Sequence, residues 1–439
     1  MSLIDCDHRT PPAAEVGYPY IAIPQLKNGH IELEGVRRIS REHFIEWTRK
    51  LKPQADDVIV VRRCNSGDSA VVPPGLECAI GQNLVILRSN GKTIHPKFLR
   101  WLIRSPEWWE QVSKYINVGA VFDSLKCKEI PHFELTTPPM AVQKEIAGLL
   151  GGIDDRITLL RETNASLEAI AQALFKSWFV DFDPVRAKAA GAAQGGANVA
   201  GAGCAGATRQ PEGMDAATAA LFPDSFEESE LGLVPRGWRI APLEDVYEVN
   251  PSRKLKKGEV APYLDMAGVG TQGHVVNGVI DREMGSGTKF INGDTLLARI
   301  TPCLENGKTA FVDFLASDQT GWGSTEFVVL RPKAPLPPYH GYLLARHPAF
   351  RDHAIQSMSG TSGRQRVQND VLGRYLVVVP RQEVAEVFAG LVGSAQQKIA
   401  SNQAQAQTLT QLRDTLLPRL ISGQLRLPDA EARVGEAVA

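Results

Sequence analysis

The sequence has few cysteines, no long apolar run and no excess of either charge, and each absence excludes a class of protein. Its 439 residues include six cysteines, with no C-x-x-C pair and no histidine pair to complete a zinc set, so neither a metal site nor a disulfide framework is expected. No apolar run reaches the roughly 18 residues of a membrane span, and the N-terminus lacks the pattern of a signal peptide. We therefore expect a cytoplasmic protein without membrane contact.

Net charge is close to zero, with 48 basic residues against 49 acidic ones and a formal net charge of −1. This balance argues against a wholly basic nucleic-acid binder, although basic residues can still be gathered locally.

Catalytic and cofactor signatures are missing as well. Residues 268–273 match G-x-G-x-x-G, but the residues after them read as strand and turn, whereas a dinucleotide site needs a helix there. Gly307-Lys308-Thr309 resembles the end of a phosphate-binding loop, but Pro302 stands where the first glycine belongs. Thr137-Pro138-Pro139-Met140 lacks the polar and aromatic residues of an amino-methyltransferase loop. We predict a chain with no catalytic site and no bound cofactor or metal.

What the sequence does contain is a repeat of itself. Residues 147–157 match residues 389–399 at an offset of 242 (389 − 147 = 242), and the apolar run 84–88 lines up with 327–331. Such long units indicate a tandem duplication rather than a solenoid, whose periods are 20–50 residues. We therefore predict an α+β fold in which a mixed α/β segment and a long helix occur twice, as a pseudo-two-fold repeat.

Local patterns in the first segment predict its elements. Residues 20–23, 57–61 and 84–87 read as strands, and Lys27-Asn28-Gly29 reads as a turn. Residues 98–112 read as one short helix.

Apolar residues repeat with heptad spacing in two long helices, the first opened by Pro138-Pro139 and the second running to residue 427. Spacings of 4 and 3 in alternation are typical of a coiled coil, and we predict that the two helices pair antiparallel. Arg413 interrupts the second seam, and Pro418 should kink or end that helix. The alternative to a coiled coil is that these segments are two ordinary long surface helices. The residues predicted to pair are Ile153, Ile157, Leu160, Asn164, Leu167, Leu174, Trp178, Ile399, Asn402, Leu409 and Leu416.

Between the two halves, residues 187–207 comprise 10 alanines and 6 glycines among 21 residues. This composition predicts a flexible linker. Residues 208–235 are predicted to be an acidic connector, and residues 428–439 a frayed tail.

Basic residues cluster in both segments, and arginine and glutamine are the side chains that pair with guanine and adenine edges. Solvated charged faces are the alternative explanation. The candidate DNA contacts are Lys27, Arg37, Arg38, Arg41, Arg62, Arg63, Arg253, Lys254, Lys256, Lys257, Arg299, Arg364, Gln365 and Arg366.

The central helix carries a motif that identifies a family. Residues 173–186 read ALFKSWFVDFDPVR, Pro138-Pro139 followed by QKEIA opens the helix, and residues 416–425 read LLPRLISGQL. These segments resemble the conserved regions of type I restriction–modification specificity (S) subunits, and the similarity covers nearly the whole chain. The first segment lacks a counterpart to Gly237-Trp238 and the residues that follow, from which we expect a shortened or misassigned N-terminus.

The resemblance implies a DNA-sequence-specificity subunit without an active site. Two target-recognition domains (1–138 and 236–380) would each read one half of a split double-stranded DNA sequence. Two conserved helices (139–186 and 381–427) would set the spacing and dock two methyltransferase (M) subunits. Those partners would bind S-adenosylmethionine and methylate adenine N6. Restriction (R) subunits, with ATP and Mg²⁺, would join the full complex. A coiled-coil scaffold that binds only protein, or a self-contained enzyme, are the alternatives.

Overall fold

The computed structural model describes residues 1–119, 123–196, 214–361 and 363–438. They form two compact units, the first made of Met1–Thr158 with Gln405–Ala439 and the second of Leu159–Ala404. The α-helices of the described residues are α1 (Arg41–Trp47), α2 (Pro96–Leu102), α3 (Pro106–Tyr115), α4 (Met140–Phe179), α5 (Asp183–Gly196), α6 (Ala216–Leu221), α7 (Leu243–Val246), α8 (Pro338–Arg346), α9 (Pro348–Gln356), α10 (Asn369–Gly373), α11 (Gln382–Ile421) and α12 (Leu427–Val438).

Together with 3₁₀ helices at Ile23–Gln25, Ile130–His132 and Met266–Gly268, short strands complete the regular structure of the described residues, so that the fold is mixed α/β. They are β1 (Ser2–Asp5), β2 (Tyr18–Ile21), β3 (Leu26–Lys27), β4 (His30–Ile31), β5 (Arg38–Ile39), β6 (Val58–Val61), β7 (Ser69–Val71), β8 (Ala79–Ile80), β9 (Leu84–Arg88), β10 (Ile116–Asn117), β11 (Ser124–Leu125), β12 (Phe226–Ser229), β13 (Gly232–Pro235), β14 (Arg239–Pro242), β15 (Tyr247–Val249), β16 (Val260–Leu264), β17 (Ile280–Glu283), β18 (Thr288–Phe290), β19 (Thr295–Ala298), β20 (Thr309–Phe311), β21 (Gly321–Gly323), β22 (Phe327–Pro332) and β23 (Leu376–Val379).

The first unit is built on an antiparallel sheet of order β1-β9-β6-β7. Strands β6 and β9 are apolar at nearly every position because both of their faces are covered. Val58 and Val60 point into a core with α2 and α3, whereas Ile59 and Val61 point into a second core with β2 and β8. A second sheet of order β5-β2-β8, in which β2 and β8 are parallel, closes that second core.

The second unit has a sheet of the same pattern, with order β15-β22-β19-β20. Leu297 and Val328 face a core with α8 and α9, and Leu296 and Val329 face a core with β16 and β18. Its other four-stranded sheet has the order β17-β16-β21-β18, and β16 runs parallel to β21 as β2 does to β8. Strands aligned by the sequence repeat thus hold the same places in their sheets.

Each main sheet also carries the same buried ion pair. In the first unit the Arg88 Nε lies 2.7 Å from Asp57 Oδ1, and in the second the Arg331 Nε lies 2.6 Å from Asp294 Oδ1. Both carboxylates are almost fully buried. A buried carboxylate needs such a partner, so the pair fixes the ends of two neighbouring strands in each sheet.

Several sequence predictions hold locally. Lys27-Asn28-Gly29 forms the turn between β3 and β4, with positive φ at Asn28 (52°) and Gly29 (85°), as a two-residue hairpin turn requires. The strands predicted near residues 20, 57 and 84 are present as β2, β6 and β9.

The prediction of a single helix over residues 98–112 is wrong. The structure has two helices, because Ser105 caps α3 by accepting a hydrogen bond from the Trp108 backbone N–H at 3.3 Å, and Pro106 follows at the first helical position. A residue before proline is disfavoured in helical geometry, so the chain must break there.

The predicted linker also differs over its described part, residues 187–196, which belong to α5. Alanine is the strongest helix former, and the Lys188 Nζ holds the helix by donating to the Ala219 carbonyl oxygen at 3.2 Å. Residues 197–207 lie outside the described residues. Within the predicted connector, Asp215 caps α6, and β12 pairs with β13 in a hairpin.

The C-terminal predictions need correction as well. Helix α11 continues through Pro418 to Ile421, and Gly423, with a φ of 73°, follows its end. The segment predicted as a frayed tail forms α12, because Pro428 and Asp429 suit a first helical turn and Ala430 is buried.

His340 is a buried group of the second unit that should make its stability depend on pH. Burial lowers the pKa of His340 to about 3, and its Nδ1 lies 2.5 Å from the Tyr247 hydroxyl oxygen. The unfolded chain takes up the proton near pH 6.5, so stability is full above that pH and falls as the pH drops toward 3. Between pH 7.5 and 5 we expect a loss of about 2 kcal/mol in the free energy of unfolding.

Urea unfolding at the two pH values measures this loss. The His340→Gln variant, which keeps a hydrogen-bonding partner for Tyr247, should show a smaller pH dependence. The same substitution at the exposed His132, His132→Gln, is the matched control and should keep the pH dependence of the wild type. An equal pH dependence in His340→Gln and the wild type would contradict the assignment.

Candidate nucleic-acid interface

Three arginines of the first unit lie together where β5 leads into α1. Arg37, Arg38 and Arg41 are all exposed. The Arg37 Nη1 donates to the Pro11 carbonyl oxygen at 3.0 Å, and the Arg38 Nη1 donates to the Gly17 carbonyl oxygen at 2.8 Å. Both hydrogen bonds go to neutral carbonyls, so the charges of these side chains are oriented but not neutralised.

The other candidate DNA-contacting residues of this unit take part in contacts within the fold. The Lys27 Nζ lies 2.6 Å from Glu32 Oε2, both side chains being exposed. The half-buried Arg62 has its Nη2 3.6 Å from Asp5 Oδ1. Arg63 is exposed and its backbone bridges to Ser124. Their contact with DNA stays a prediction.

In the second unit, Arg253 is part of the buried ion pair of the main sheet. Its Nη2 lies 3.1 Å from Asp294 Oδ1, the atom that Arg331 also contacts, and its side chain is 13% exposed. This guanidinium therefore stabilises the fold. Sequence reasoning grouped it with its neighbours because the position of the distant Asp294 is set only by the tertiary fold.

Three lysines follow Arg253 in an exposed loop before β16. Lys254, Lys256 and Lys257 are all exposed. The Lys256 backbone N–H donates to Glu259 Oε2, and the Gly258 backbone N–H donates to the Met284 carbonyl oxygen at 2.8 Å. The loop is thereby tied to the end of β17, and its ammonium groups are presented on an ordered backbone.

The remaining candidates gather around Glu326. The Arg366 Nη2 lies 2.6 Å from Glu326 Oε1, and this hydrogen bond lowers the pKa of Glu326, with the charge of Arg299 adding to the effect. The backbone of Arg299 also joins this group, since its N–H donates to the Glu326 carbonyl oxygen at 2.9 Å. Arg364 is exposed and Gln365 is half-buried. The structure thus brings Arg299, Arg364, Gln365 and Arg366 together.

Sequence reasoning missed Arg282, an exposed residue of the edge strand β17. Its guanidinium carbon lies 4.8 Å from the ring centre of Tyr263 and 5.8 Å from that of Trp322. The rings come from β16 and β21, so only the sheet order reveals this contact.

The two long helices contact each other within each unit, and in the second unit they run antiparallel. In the second unit the Asn402 Nδ2 donates to Asn164 Oδ1 at 2.9 Å, and the Trp178 ring lies 5.7 Å from that of Phe388. The predicted pairing positions that are at least 95% buried are Ile153, Ile157, Leu160, Trp178, Ile399, Asn402, Leu409 and Leu416, whereas Asn164, Leu167 and Leu174 are half-buried.

In the first unit, Arg413 does not break the helix contact. Arg413 is buried, and its Nη1 lies 2.5 Å from Asp154 Oδ1. Asp154 also contacts Arg100 of α2, and its Oδ2 lies 3.0 Å from the His30 Nε2 of the β3–β4 hairpin. One carboxylate therefore ties both long helices to the sheet domain.

Electrostatics explain why Asp154 stays ionised. Burial alone would raise the pKa of Asp154, but the hydrogen bond from His30 and the charges of Arg100, His30 and Arg413 outweigh it and hold the pKa far below its usual range. Burial also lowers the pKa of the adjacent Arg104 to about 10, helped by repulsion from Arg413.

The second unit joins its helix to its sheet domain with a different carboxylate. The Tyr342 hydroxyl donates to Glu168 Oε1 at 2.5 Å, and the Arg346 Nε lies 4.0 Å from the same oxygen. Tyr342 follows Arg100 by 242 residues (342 − 100 = 242), the offset of the sequence repeat. The matching positions of α2 and α8 thus both contact α4, through different side chains and at different sites along that helix.

Among the described residues, one group has metal-ligand donors close together. Asp5, Cys6 and His8 place their donor atoms within 4.8 Å of one another. Asp5 is already engaged, since its Oδ2 lies 3.3 Å from the His8 Nε2 and Arg62 approaches its other oxygen. The absence of a bound metal stays a prediction. No described helix has the length and apolarity that crossing a membrane requires.

Comparison with known proteins agrees with this architecture. Residues 9–169 match the family of the type I restriction modification DNA specificity domain. The specificity subunit of the type I restriction enzyme HindI from Haemophilus influenzae is 26% identical over 389 residues, covering 79% of this chain and 81% of that protein. The MjaIX specificity subunit from Methanocaldococcus jannaschii is 24% identical over 411 residues, covering 90% and 83%.

A solved structure is similar in fold. The S subunit of a type I restriction–modification system from M. genitalium has a TM-score of 0.52 at 14% identity, covering 96% of this chain and 93% of that chain. The domain match and the relatives aligned over most of their length support the assignment of the chain as a type I restriction–modification specificity subunit.

Proposed function

We propose that each unit reads one half of a bipartite double-stranded DNA target for a type I restriction–modification complex. Two observations carry this proposal together: corresponding strands have the same order in the sheets of both units, and the exposed residues of the two units differ. A common scaffold with different surface chemistry suits the reading of two different base sequences through similar geometry.

The long helices are proposed to form an antiparallel coiled coil that sets the distance between the half-sites. Support comes from the burial of apolar heptad positions and from the Asn164–Asn402 hydrogen bond, because a polar pair on a seam can fix register. Since the major groove repeats about every 34 Å, we expect half-sites roughly one turn apart, with the bases between them unread.

Partners follow from this role. The helices are proposed to dock two methyltransferase subunits, which would carry S-adenosylmethionine and direct adenine N6 methylation. Restriction subunits would bring ATP and Mg²⁺, and this chain would bind no cofactor of its own. Such a complex would work in the cytoplasm. The names of the aligned specificity subunits support the assignment.

A coiled-coil scaffold without DNA readout is the second candidate, and binding measurements separate the two. The chain with its cognate methyltransferase subunit should bind duplex DNA with an affinity that falls steeply as salt rises, because phosphate contacts release counterions. It should methylate DNA, whereas the chain alone should not. Methylation by the isolated chain, or binding without salt dependence, would overturn the proposal.

A further inference from the structure

Edge strand β17, in the sheet of order β17-β16-β21-β18, carries an arginine that stacks on aromatic rings. Every residue of β17 is exposed. Ala261 of β16 lies opposite Arg282, and Tyr263 lies opposite Ile280. Because side chains alternate along a strand, Arg282 and Ile280 share the face that carries Tyr263, whereas Asp281 and Glu283 point to the other face.

An aromatic platform supports the guanidinium on this face. The rings of Tyr263 and Trp322 lie 4.5 Å apart, and Arg282 covers both. The Trp322 Nε1 donates to the Arg282 carbonyl oxygen at 3.3 Å, which fixes the backbone as well. A planar guanidinium stacked on aromatic rings loses little freedom on binding and keeps its hydrogen-bond donors at the edge.

Arg282 differs from the neighbouring arginines in its ion pairing. Arg253, Arg331 and Arg366 all lie within ion-pair distance of a carboxylate. In the described part of the chain, Arg282 has no carboxylate within that distance. Its positive charge and its donors are therefore available to a ligand, at little cost in broken contacts.

We propose that Arg282 reads a guanine in the half-site of the second unit, an inference that rests on the proposed function. Bidentate donation from arginine to guanine O6 and N7 is the commonest specific contact in the major groove. Lys254, Lys256 and Lys257, on the loop tied to the end of β17, supply the phosphate contacts that position this side chain.

The first unit offers a counterpart at the same place in its sheet. Strand β5 pairs with the central strand β2 as β17 pairs with β16, and Arg38 of β5 lies opposite Pro19. Arg38 is exposed and donates to a backbone carbonyl. The matching edge strand of each unit therefore carries an exposed arginine. A surface that contacts only solvent would not require an arginine at the same place in both units.

Selection from a pool of random duplexes tests the proposal. The full chain, bound to its cognate methyltransferase subunit, selects duplexes that are then sequenced. For Arg282→Ala we expect the loss of one guanine preference in one half-site, with the other positions unchanged. Affinity for the wild-type consensus duplex should fall about 10- to 100-fold. Arg282→Lys keeps the charge over the rings but lacks the bidentate fork, so it should lose the same preference while binding random DNA normally.

Lys257→Ala is the matched control, because loss of a phosphate contact should weaken binding to all duplexes and leave the selected sequence unchanged. Melting temperatures of the variants report any structural damage. A wild-type consensus recovered with Arg282→Lys, or altered preferences in both half-sites, would overturn the role of Arg282. If the wild-type complex selects no sequence at all, the proposed function itself fails.

Discussion

Replacing Asp154 with asparagine is expected to lower the free energy of unfolding of the first unit by about 3–5 kcal/mol, because it leaves buried positive charges without their partner. The carboxylate is 1% exposed and contacts His30, Arg100 and Arg413. Its pKa is held far below the usual range, so its contribution is present at neutral pH and is lost only as the pH falls through that low value.

Chemical denaturation followed by circular dichroism measures this loss. The neighbouring Asp155 is exposed on the same helix, so Asp155→Asn should change stability by no more than about 0.5 kcal/mol. Removing both charges, in Asp154→Leu with Arg413→Leu, should recover part of the loss, since an apolar pair can replace a buried ion pair. Equal stability of Asp154→Asn and Asp155→Asn would show that the cluster contributes nothing.

Placing a charge on the helix seam should have a similar effect in the second unit. Leu160 is 5% exposed, whereas its neighbour Leu159 is 52% exposed. Leu160→Asp buries an unpaired carboxylate, and we expect a loss of several kcal/mol, about 3–5. Leu159→Asp puts the same charge into solvent and should be nearly neutral.

Thermal melting of both variants, with co-purification of the methyltransferase subunit, provides the measurement. Leu160→Asp should melt at a lower temperature and recover less partner. If it melts as the wild type does and binds its partner normally, Leu160 is not on a paired face.

Periodicity predicted the long helices well because it is a local property of the sequence. The helix predicted over residues 139–186 begins as expected, at Met140, but α4 ends at Phe179 and a separate helix, α5, begins at Asp183. Most of the predicted seam positions in α4 are buried. The pattern could not show how Arg413 is accommodated, since Asp154 lies 259 residues away in sequence. Only the tertiary fold brings that charge to the seam.

The same limit applies to the candidate interface. Clustering of basic residues along the sequence does not distinguish a free guanidinium from one in an ion pair. Arg253 and Arg366 turned out to contact Asp294 and Glu326. Arg282 has no basic neighbour in sequence, and the rings that support it come from other strands.

Mapping methylated adenines in cells that express this chain with its methyltransferase tests the central proposal most directly. We predict a bipartite sequence for the wild type. Substituting the loop residues Arg364 and Gln365 with alanine should change or weaken only the half-site of the second unit, by about 1–3 kcal/mol of discrimination for each lost base contact. Changes in both half-sites, or in neither, would contradict the division of reading between the two units.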